Sequence, residues 1–322
     1  MVTGVGSGTG QAILTALNQI RDKVEVHASD FDVDAAGLYL VEKRHIIPKL
    51  EEESGMDKLL ELIIENRFEM IFPGNEFDVV ALAKKKAFLE TSSDTIVMVS
   101  NIETIELTFD KWKTYRHLEF NGIAIPQTFL PENDLDLEFI ESQMPLPWII
   151  KPRIGTASKG VNLVHSLTEA NLAITKTPGA LIQEYMDSIT YRNEKCYEFT
   201  CGIFKDKFGK IHGPIVAERI LRNGTSWIVQ IVFDSEVSEY VRKIASCIAF
   251  EGPMNVQLIK TRKGPKVLEI NCRFSGTTGI RSYFGFNEPK MALESFLLER
   301  EIEPIKLTRG RVLRYIENII QV

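Results

Sequence analysis

The stretch Leu268-Glu-Ile-Asn-Cys-Arg273 decides how this sequence is interpreted. It predicts a β-strand, in which alternate side chains point to one face, so that Glu269, Asn271 and Arg273 lie together. Gln257, twelve residues before Glu269, joins this face if the two segments pair as antiparallel neighbours. Mg²⁺ binds through one or two protein oxygens plus substrate phosphates. Glu269, Asn271 and Gln257 are therefore candidate Mg²⁺ ligands, and a solvated strand edge is the alternative.

A second candidate for phosphate binding is the segment Lys151-Pro-Arg-Ile-Gly-Thr-Ala-Ser-Lys-Gly160. It predicts a strand that ends in a lysine and opens into a loop of small residues. Such a loop can fold over a polyphosphate, whose charge its amides and Lys151 would meet. It is not a Walker loop, because no Gly-Lys-Ser/Thr follows the glycine run at the required spacing. A solvated basic loop is the alternative interpretation.

The amino terminus carries glycines at positions 4, 6, 8 and 10, between a short apolar strand and an amphipathic helix. The backbone of such a turn can approach an anion at the helix N-terminus. The dinucleotide fingerprint is broken, because its sixth position counted from Gly4 is Thr9. Asp30 and Asp32 nevertheless stand where a ribose-binding acid would lie. An NAD(P)-dependent dehydrogenase and a plain structural turn therefore stay open as alternatives.

The predicted helices and strands divide the chain into three domains. Residues 1–105 alternate strands with helices, which predicts a doubly wound parallel α/β sheet: strands 1–5, 24–28, 68–72 and 96–99, helices 11–21, 56–66 and 77–89. Residues 106–186 predict a small α+β lobe: helices 111–121 and 167–174, strands 148–151, 161–164 and 179–185. Residues 187–322 predict a larger antiparallel α+β lobe: strands 197–204, 215–221, 254–261 and 266–270, helices 235–250 and 289–298.

The composition favours a small-molecule partner. The 322 residues carry a formal net charge of −6, with 44% hydrophobic and 25% charged residues, as in average globular proteins. Without a basic excess, neither nucleic acid nor an anionic membrane is an expected partner. The four cysteines form neither a CxxC pair nor a zinc knuckle. No signal peptide or membrane-spanning run is visible, so we expect a cytoplasmic location.

Taken in order, these motifs resemble those of the ATP-grasp ligases, and most closely the synthetase domains of the carbamoyl-phosphate synthetase large subunit. The resemblance runs from Met1 to about Leu298. Residues 3–14 resemble the glycine loop of the family's pre-ATP-grasp domain, and Asp110-Lys111 with Gly-Ile-Ala-Ile-Pro126 resembles its DK...GIP segment. Residues 148–161 resemble the flexible phosphate loop, and residues 180–186 the hinge between the lobes. The remaining matches are the ribose-contacting acid, at Glu198, and the magnesium and phosphate face, at Gln257, Glu269, Asn271 and Arg273.

The resemblance implies a doubly wound pre-ATP-grasp domain followed by a two-lobed ATP-grasp fold. It also implies ATP and Mg²⁺ as cofactors and an ADP-forming reaction, in which a carboxylate becomes an acyl phosphate and an amine or similar nucleophile attacks it. The substrates would be a small carboxylate and an amine, and a homodimer is allowed. A non-catalytic nucleotide-binding module with the same fold remains an alternative.

The resemblance also gives each candidate residue a role. Lys111 and Lys151 would contact the nucleotide phosphates, and Glu198 would hold the ribose. Arg273, together with Lys151, would stabilise the γ-phosphate during transfer. The adenine slot would be lined by Gln183, Glu184, Tyr185 and Met186, and Mg²⁺ would be held by Gln257, Glu269 and Asn271. Candidate contacts to the other substrates, suggested by their positions in loops and strands, are Asn75, Glu76, Arg219, Arg222 and Arg281.

Overall fold

The computed structural model describes residues 1–131, 136–155, 159–192, 195–315 and 317–320, with the backbone alone at 191–192 and 195–196. Thr156, Ala157 and Ser158 of the predicted phosphate loop lie outside the described residues. In the described part of the chain, none of the helices combines the length and the apolar character needed to span a bilayer.

The amino-terminal unit is a parallel sheet with helices packed around it. Its strands are β1 (Val2–Thr3), β2 (His27–Asp30), β3 (Lys43–Ile46), β4 (Met70–Pro73) and β5 (Ile96–Val97), in the order β3-β2-β1-β4-β5. Its helices are α1 (Gly8–Asn18), α2 (Glu53–Asn66), α3 (Glu76–Ser93) and α4 (Ile102–Phe109), with a 3₁₀ turn at Ala36–Leu40. The strand order reverses between β1 and β4, which opens a crevice at their carboxyl ends. The predicted doubly wound sheet is therefore confirmed.

The small antiparallel unit follows. Its elements are α5 (Lys111–Phe120), β6 (Thr128–Phe129), α6 (Leu137–Gln143), β7 (Trp148–Pro152), β8 (Asn162–Val164), α7 (Leu167–Lys176) and β9 (Ala180–Glu184), and its strand order is β6-β9-β7-β8. Trp148, Ile150 and Ile182 lie in its buried core. The Trp148 indole N–H donates to the Met144 carbonyl at 2.7 Å, which satisfies the one polar atom of this large side chain.

The carboxyl-terminal unit is a six-stranded antiparallel sheet. Its elements include β12 (Glu198–Lys205), β13 (Ile211–Arg222), β14 (Thr225–Val232), α8 (Ser235–Cys247), β15 (Gly252–Thr261) and β16 (Gly264–Asn271). They continue with α9 (Thr278–Ser282), α10 (Glu288–Ala292), a π-helical turn at Leu293–Leu297 and β17 (Gly310–Leu313). The strand order is β16-β15-β12-β13-β14-β17, and a separate short pair joins β10 (Tyr191–Arg192) to β11 (Lys195–Cys196).

The alternation of side chains gives the six-stranded sheet two different faces. Phe199, Val256 and Leu258 belong to the same buried core as the apolar side of α8. The opposite face carries polar residues, which the register brings together. Glu198 lies opposite Arg219, and Gln257 lies opposite Glu269. The expected shared face of residues 257 and 269 follows from this pairing.

Among the described residues, six observed strands were not expected from the sequence, of which β6, β10 and β11 have only two residues each and the other three are longer. Strand β3 reads Lys-Arg-His-Ile and is mostly exposed at the sheet edge, so it lacks an apolar pattern. Strand β14 follows Asn223-Gly224, both at positive φ, which is the turn that closes a two-residue hairpin. Strand β17 adds to the sheet edge from far along the chain. The predicted boundary after residue 105 falls within helix α4. The three predicted domain ranges stay predictions.

Candidate active site

A cavity of about 230 Å³ lies between the small sheet and the six-stranded sheet. Eight of the candidate residues line it: Lys111, Lys151, Gln183, Tyr185, Met186, Glu198, Gln257 and Glu269. Apolar side chains, among them Ile149, Ile259 and Leu268, complete the wall. An apolar cleft with a few polar groups is the usual form of a small-molecule site. The structure therefore brings most of the predicted residues together in one cavity.

Lys151 is the central cation of this cavity. Its ammonium donates to the Tyr115 hydroxyl at 2.7 Å and to Gln183 Oε1 at 2.8 Å. Both partners are themselves fixed, because Tyr115 donates to the Leu268 carbonyl and Gln183 donates to the Thr128 hydroxyl. Burial lowers the pKa of Lys151 to about 7, although the charge of Glu269 opposes the shift. A bound anion would supply the negative charge that its neutral partners lack.

Tyr115 has no place among the predicted site residues. It is fully buried on α5, four residues after Lys111. Residues four apart lie on the same helix face. That spacing is the sequence signal that could have placed Tyr115 beside the predicted lysines.

Helix α5 is tied to the loop that follows β7. Asp110 caps the helix by accepting from the backbone N–H groups of Trp112 and Lys113, and it forms an ion pair with Arg153 at 2.7 Å. The Lys111 ammonium donates to the Gly155 carbonyl at 2.8 Å. The Asp-Lys pair therefore holds the beginning of the predicted phosphate loop against the cavity.

The other side of the cavity contains a polar chain of three residues. The Arg219 guanidinium lies 3.3 Å from Glu198 Oε2 and donates to Gln257 Oε1 at 2.6 Å. Arg219 is buried, and the Ser226 hydroxyl accepts from its other terminal nitrogen at 3.4 Å. Glu198 thus reaches the cavity with a fixed orientation, and Gln257 already has a cationic partner.

The predicted Mg²⁺ ligands differ in how free their oxygens are. Asn271 donates its amide N–H to Glu269 Oε1 at 3.1 Å, which leaves its own amide oxygen beside that carboxylate. The oxygen of Gln257 would have to exchange its bond with Arg219 before it could ligate a cation. Within the described ranges, no cluster of three or more His, Cys, Asp or Glu side chains could hold a metal unaided. One carboxylate with an amide oxygen fits Mg²⁺ when a nucleotide supplies phosphate oxygens.

A second cavity, of about 300 Å³, lies between the amino-terminal unit and the six-stranded sheet. Its walls include Ser7–Thr9 after β1 and Asn75-Glu76 after β4, which is the crevice expected where the strand order reverses. It shares Leu221, Gln257 and Glu269 with the first cavity. The two cavities therefore meet at Glu269.

The loops of this crevice are packed tightly against each other. Ser7 Oγ donates to the Gly74 carbonyl. A side chain at Gly10 would lie 2.6 Å from the Gly4 carbonyl oxygen, and one at Gly74 would overlap the Thr3 carbonyl. Asp30 accepts from the Gly6 N–H at 2.7 Å. Its carboxylate therefore fixes the glycine loop, which disfavours its use as a ribose-binding acid.

The remaining candidates lie in different places. Arg273 lines the second cavity, and its guanidinium donates to Glu76 and to the Phe274 carbonyl. Asn75, Glu76 and Arg219 also line this cavity. Two arginines line neither cavity: Arg222 lies over the Trp227 ring, at 4.8 Å from its centroid, and Arg281 is buried in an ion pair with Glu288.

Glu184 is the candidate whose side chain turns away from the first cavity. Its carboxylate accepts from the Gln127 N–H at 3.0 Å, on the side of strand β9 opposite to Gln183 and Tyr185. Adjacent residues of a strand point to opposite faces. Any role of Glu184 in lining a nucleotide slot would therefore fall to its backbone.

Comparisons with known proteins agree with this arrangement. Residues 197–319 match the family model described as "ATP-grasp in the biosynthetic pathway with Ter operon". The chain is 25% identical over 167 residues to the carbamoyl-phosphate synthase of Methanobrevibacter smithii, a match that covers 51% of this chain and 43% of that protein. It is 22% identical over 246 residues to the 3-methyl-D-ornithine–L-lysine ligase of Methanosarcina acetivorans, covering 74% and 59%. The chain thus spans less than two thirds of each of these relatives.

The fold is also similar to that of a solved enzyme. The N5-carboxyaminoimidazole synthetase of Staphylococcus aureus, crystallised with ADP, superposes with a TM-score of 0.75 and 16% identity, over 98% of this chain and 81% of that one. The predicted fold class, a doubly wound domain followed by a two-lobed ATP-grasp unit, is confirmed. The chain has the ATP-grasp fold, and its sequence resembles those of the ATP-grasp ligases.

Proposed function

We propose that this protein is an ATP- and Mg²⁺-dependent ligase that activates a small carboxylate as an acyl phosphate and joins it to an amine or similar nucleophile. The observation that carries the proposal is the meeting of the two cavities at Glu269. A nucleotide in the first cavity and a carboxylate in the second would face each other across this residue. The division into residues 1–105, 106–186 and 187–322 belongs to the proposal.

The residues of the first cavity would bind and orient the nucleotide. Lys111 and Lys151 would supply the positive charge that phosphates need, and Glu198, which is paired with Arg219, would accept hydrogen bonds from the ribose hydroxyls. Bound Mg-ATP would supply the phosphoryl group that turns a poor electrophile into a reactive one. Phosphoryl transfer depends on positioning and charge neutralisation more than on a nucleophilic side chain. Glu269 with Asn271 would hold the cation, and closure of the lobes would exclude water.

The residues of the second cavity would position the acceptor carboxylate. Arg273 is the guanidinium nearest in sequence to Glu269, and its two contacts, to Glu76 and to the Phe274 carbonyl, hold it at the cavity wall. A guanidinium can bind a carboxylate through two parallel hydrogen bonds. Arg273 therefore fits the role of orienting the carboxylate and stabilising charge during transfer.

The two alternatives make different demands on the structure. A dehydrogenase would need an acid at the end of β2 to be free for a ribose. Asp30 is bonded to the glycine loop, and Asp32, which is exposed, accepts from the Asp34 N–H. A non-catalytic module would need only the first cavity. The second cavity, with Arg219, Arg273 and Glu76 converging on its walls, supports a reaction with a second substrate.

The test combines binding and product analysis. The purified chain is screened with carboxylates and amines in the presence of Mg-ATP, and nucleotide and phosphate products are identified by mass spectrometry. With an ¹⁸O-labelled carboxylate we expect ADP and ¹⁸O-labelled phosphate to appear together. AMP with pyrophosphate would contradict an acyl phosphate. A thermal shift with NADH and none with Mg-ATP would favour the dehydrogenase, and a shift with Mg-ATP without acceptor-dependent ADP release would favour the binding module.

A further inference from the structure

Arg314 presents an unpaired cation to the second cavity. It follows strand β17, where its backbone N–H donates to the Trp227 carbonyl at 2.9 Å. Its Nε donates to the Ser226 carbonyl at 3.1 Å, and its side chain lines the cavity. Among the residues that the structure describes, neither of its terminal guanidinium nitrogens has a hydrogen-bond partner. The reactive end of this side chain is therefore available to a ligand.

The other two arginines of this cavity already have carboxylate partners. Arg219 is paired with Glu198, and Arg273 is paired with Glu76. Arg314 is half-buried, and no ion pair joins it to an acidic residue of the described chain. A guanidinium presents donors in a planar fork that matches the oxygens of a carboxylate or a phosphate. Among the described residues, Arg314 is thus the arginine of this cavity that has no carboxylate partner.

The position of Arg314 separates it from the predicted reaction centre. Glu269 lies on β16 and Arg314 follows β17, and these are the two outermost strands of the six-stranded sheet. Neighbouring strands lie about 4.8 Å apart. A cavity lined by residues of both outer strands therefore runs across the sheet rather than forming a compact pit. A ligand with one end at Glu269 must be elongated to reach Arg314.

We propose that the carboxylate substrate carries a second anionic group at its far end, and that Arg314 binds this group. The inference rests on the proposed function, since it takes the Glu269 end of the cavity as the place where the first carboxylate is activated. The shared chemistry is a terminal group of anionic oxygens, either a second carboxylate or a phosphate ester. Arg314 is then a specificity residue, because it selects for the far end of the substrate without touching the reacting atoms.

The structural contact of Arg314 does not require its free nitrogens. Its Nε alone makes the bond to the Ser226 carbonyl, which fastens β17 to the start of β14. Arg314→Gln and Arg314→Lys both lose this bond, so a purely structural role would give the two variants the same effect on ligand preference. Arg311 is a matched control, because it lies on the same strand opposite Gln230 but does not line the cavity.

The test measures anion preference with the full chain in Mg-ADP, so that no turnover occurs. The probes are the dicarboxylates succinate, glutarate, adipate, pimelate and suberate, each compared with the monocarboxylate of equal chain length. A second arm compares O-phospho-L-serine with L-serine, which distinguishes the phosphate from the carboxylate. We expect wild type to bind at least one doubly anionic probe about tenfold more tightly than its matched control, as measured by thermal shift and titration calorimetry.

The variants decide whether Arg314 is responsible. Arg314→Gln should remove the preference, Arg314→Lys should keep part of it because the charge remains, and Arg311→Gln should leave it unchanged. If Arg314→Gln does not fold, Arg314→Lys and the wild-type series still test the proposal. Equal binding of the matched probes by wild type, no binding of any doubly anionic probe, or an undiminished preference in Arg314→Gln would overturn it. Failure of the proposed function would instead appear as the absence of acceptor-dependent ADP release with every carboxylate.

Discussion

The two cavities that meet at Glu269 differ in the partners of their cationic side chains. In the first, Lys151 is buried against the hydroxyl of Tyr115 and the amide of Gln183, and no carboxylate of the described residues is bonded to its ammonium. In the second, Arg219 and Arg273 are each paired with a glutamate. Burial beside neutral partners favours the uncharged form of an amine, and a bound anion favours its charged form. Paired arginines keep their orientation and charge whether or not a ligand is present.

The two cavities therefore have different requirements for their ligands. The first cavity gains most from a ligand that brings several negative charges, because its central amine is otherwise desolvated without compensation. In the second cavity, the charges of Arg219 and Arg273 are already compensated by glutamates, whereas that of Arg314 is not. We therefore expect nucleotide binding to depend more on pH than acceptor binding does.

Glu269→Gln should have the largest effect, because Glu269 belongs to both cavities. Removing its charge weakens cation binding and charge stabilisation in the transition state together, so we expect acceptor-dependent ADP release to fall by about a thousandfold or more. The amide has nearly the same shape, and the melting temperature should stay close to that of wild type. The control is Glu239→Gln on the exposed side of α8, which should retain full activity. Normal turnover in folded Glu269→Gln would remove this residue from the cation site.

Lys151→Met should affect the first cavity alone. Methionine fills a similar volume without a charge, so we expect Mg-ATP binding to weaken about a hundredfold while the fold is kept. Titration calorimetry with a non-hydrolysable ATP analogue measures this change. Lys176→Met, at an exposed position at the end of α7, is the matched control. Equal weakening of acceptor binding in the absence of nucleotide would contradict the separation of the two cavities.

Asp78→Asn should stabilise the folded protein at neutral pH. Asp78 is buried against the Thr3 hydroxyl at 2.6 Å, and burial raises the pKa of this carboxyl to about 6. Its charged form is therefore unfavourable in the folded state, so the free energy of unfolding of wild type falls as the pH rises from about 4 to about 6. We expect Asp78→Asn to be more stable than wild type by roughly 2 kcal/mol at pH 7 and equally stable below pH 4.

Urea unfolding at a series of pH values measures this difference. Asp57→Asn, on the exposed side of α2, is the control and should show no such profile. A constant difference between Asp78→Asn and wild type from pH 4 to pH 8 would show that the charge of Asp78 is not the cause.

The smallest expected effect is the pH dependence of nucleotide affinity in wild type. Because burial lowers the pKa of Lys151 to about 7, the free protein loses this charge as the pH rises above 7. Binding of phosphates favours the charged amine, so nucleotide binding should take up a proton, and affinity should fall about tenfold between pH 7 and pH 8.5. Calorimetry in buffers with different ionisation enthalpies measures the proton uptake. Lys151→Arg, which stays charged, should show neither effect, and a flat affinity profile in wild type would contradict the low pKa.

Much of the fold and of the first cavity could be predicted from the sequence, because the signals are local. Glu269 and Asn271 share a face through strand alternation, and the lysine at residue 151 ends a predicted strand. Glu184 was predicted to line the adenine slot together with its neighbours, because strand alternation was not applied within residues 180–186. It lies between two residues that face the cavity, and alternation alone would have turned its side chain away.

The second cavity was harder to predict because segments far apart in the sequence form it. Ser7–Thr9, Asn75-Glu76, the start of β14 and Arg314 meet only after the parallel sheet packs against the six-stranded sheet. Strand β17 pairs with β14, which lies about 80 residues earlier in the sequence, and the short sequence of β17 does not indicate this pairing. The Asn223-Gly224 turn, in contrast, was a local hairpin signal that would have revealed β14.

The close packing of Gly10 and Gly74 fixes the backbone behind one wall of the second cavity. No side chain larger than hydrogen fits at either position without moving the backbone of β1 or of its following loop. The opposite wall, formed by the turn after β13 and by the end of β17, lies at the edge of the sheet. Selection for new substrates can therefore act through that edge while the glycine crevice stays as it is. Libraries that vary residues 225 and 314 would search the adaptable half of the site without changing the Ser226–Arg219 bond that helps to orient Glu198.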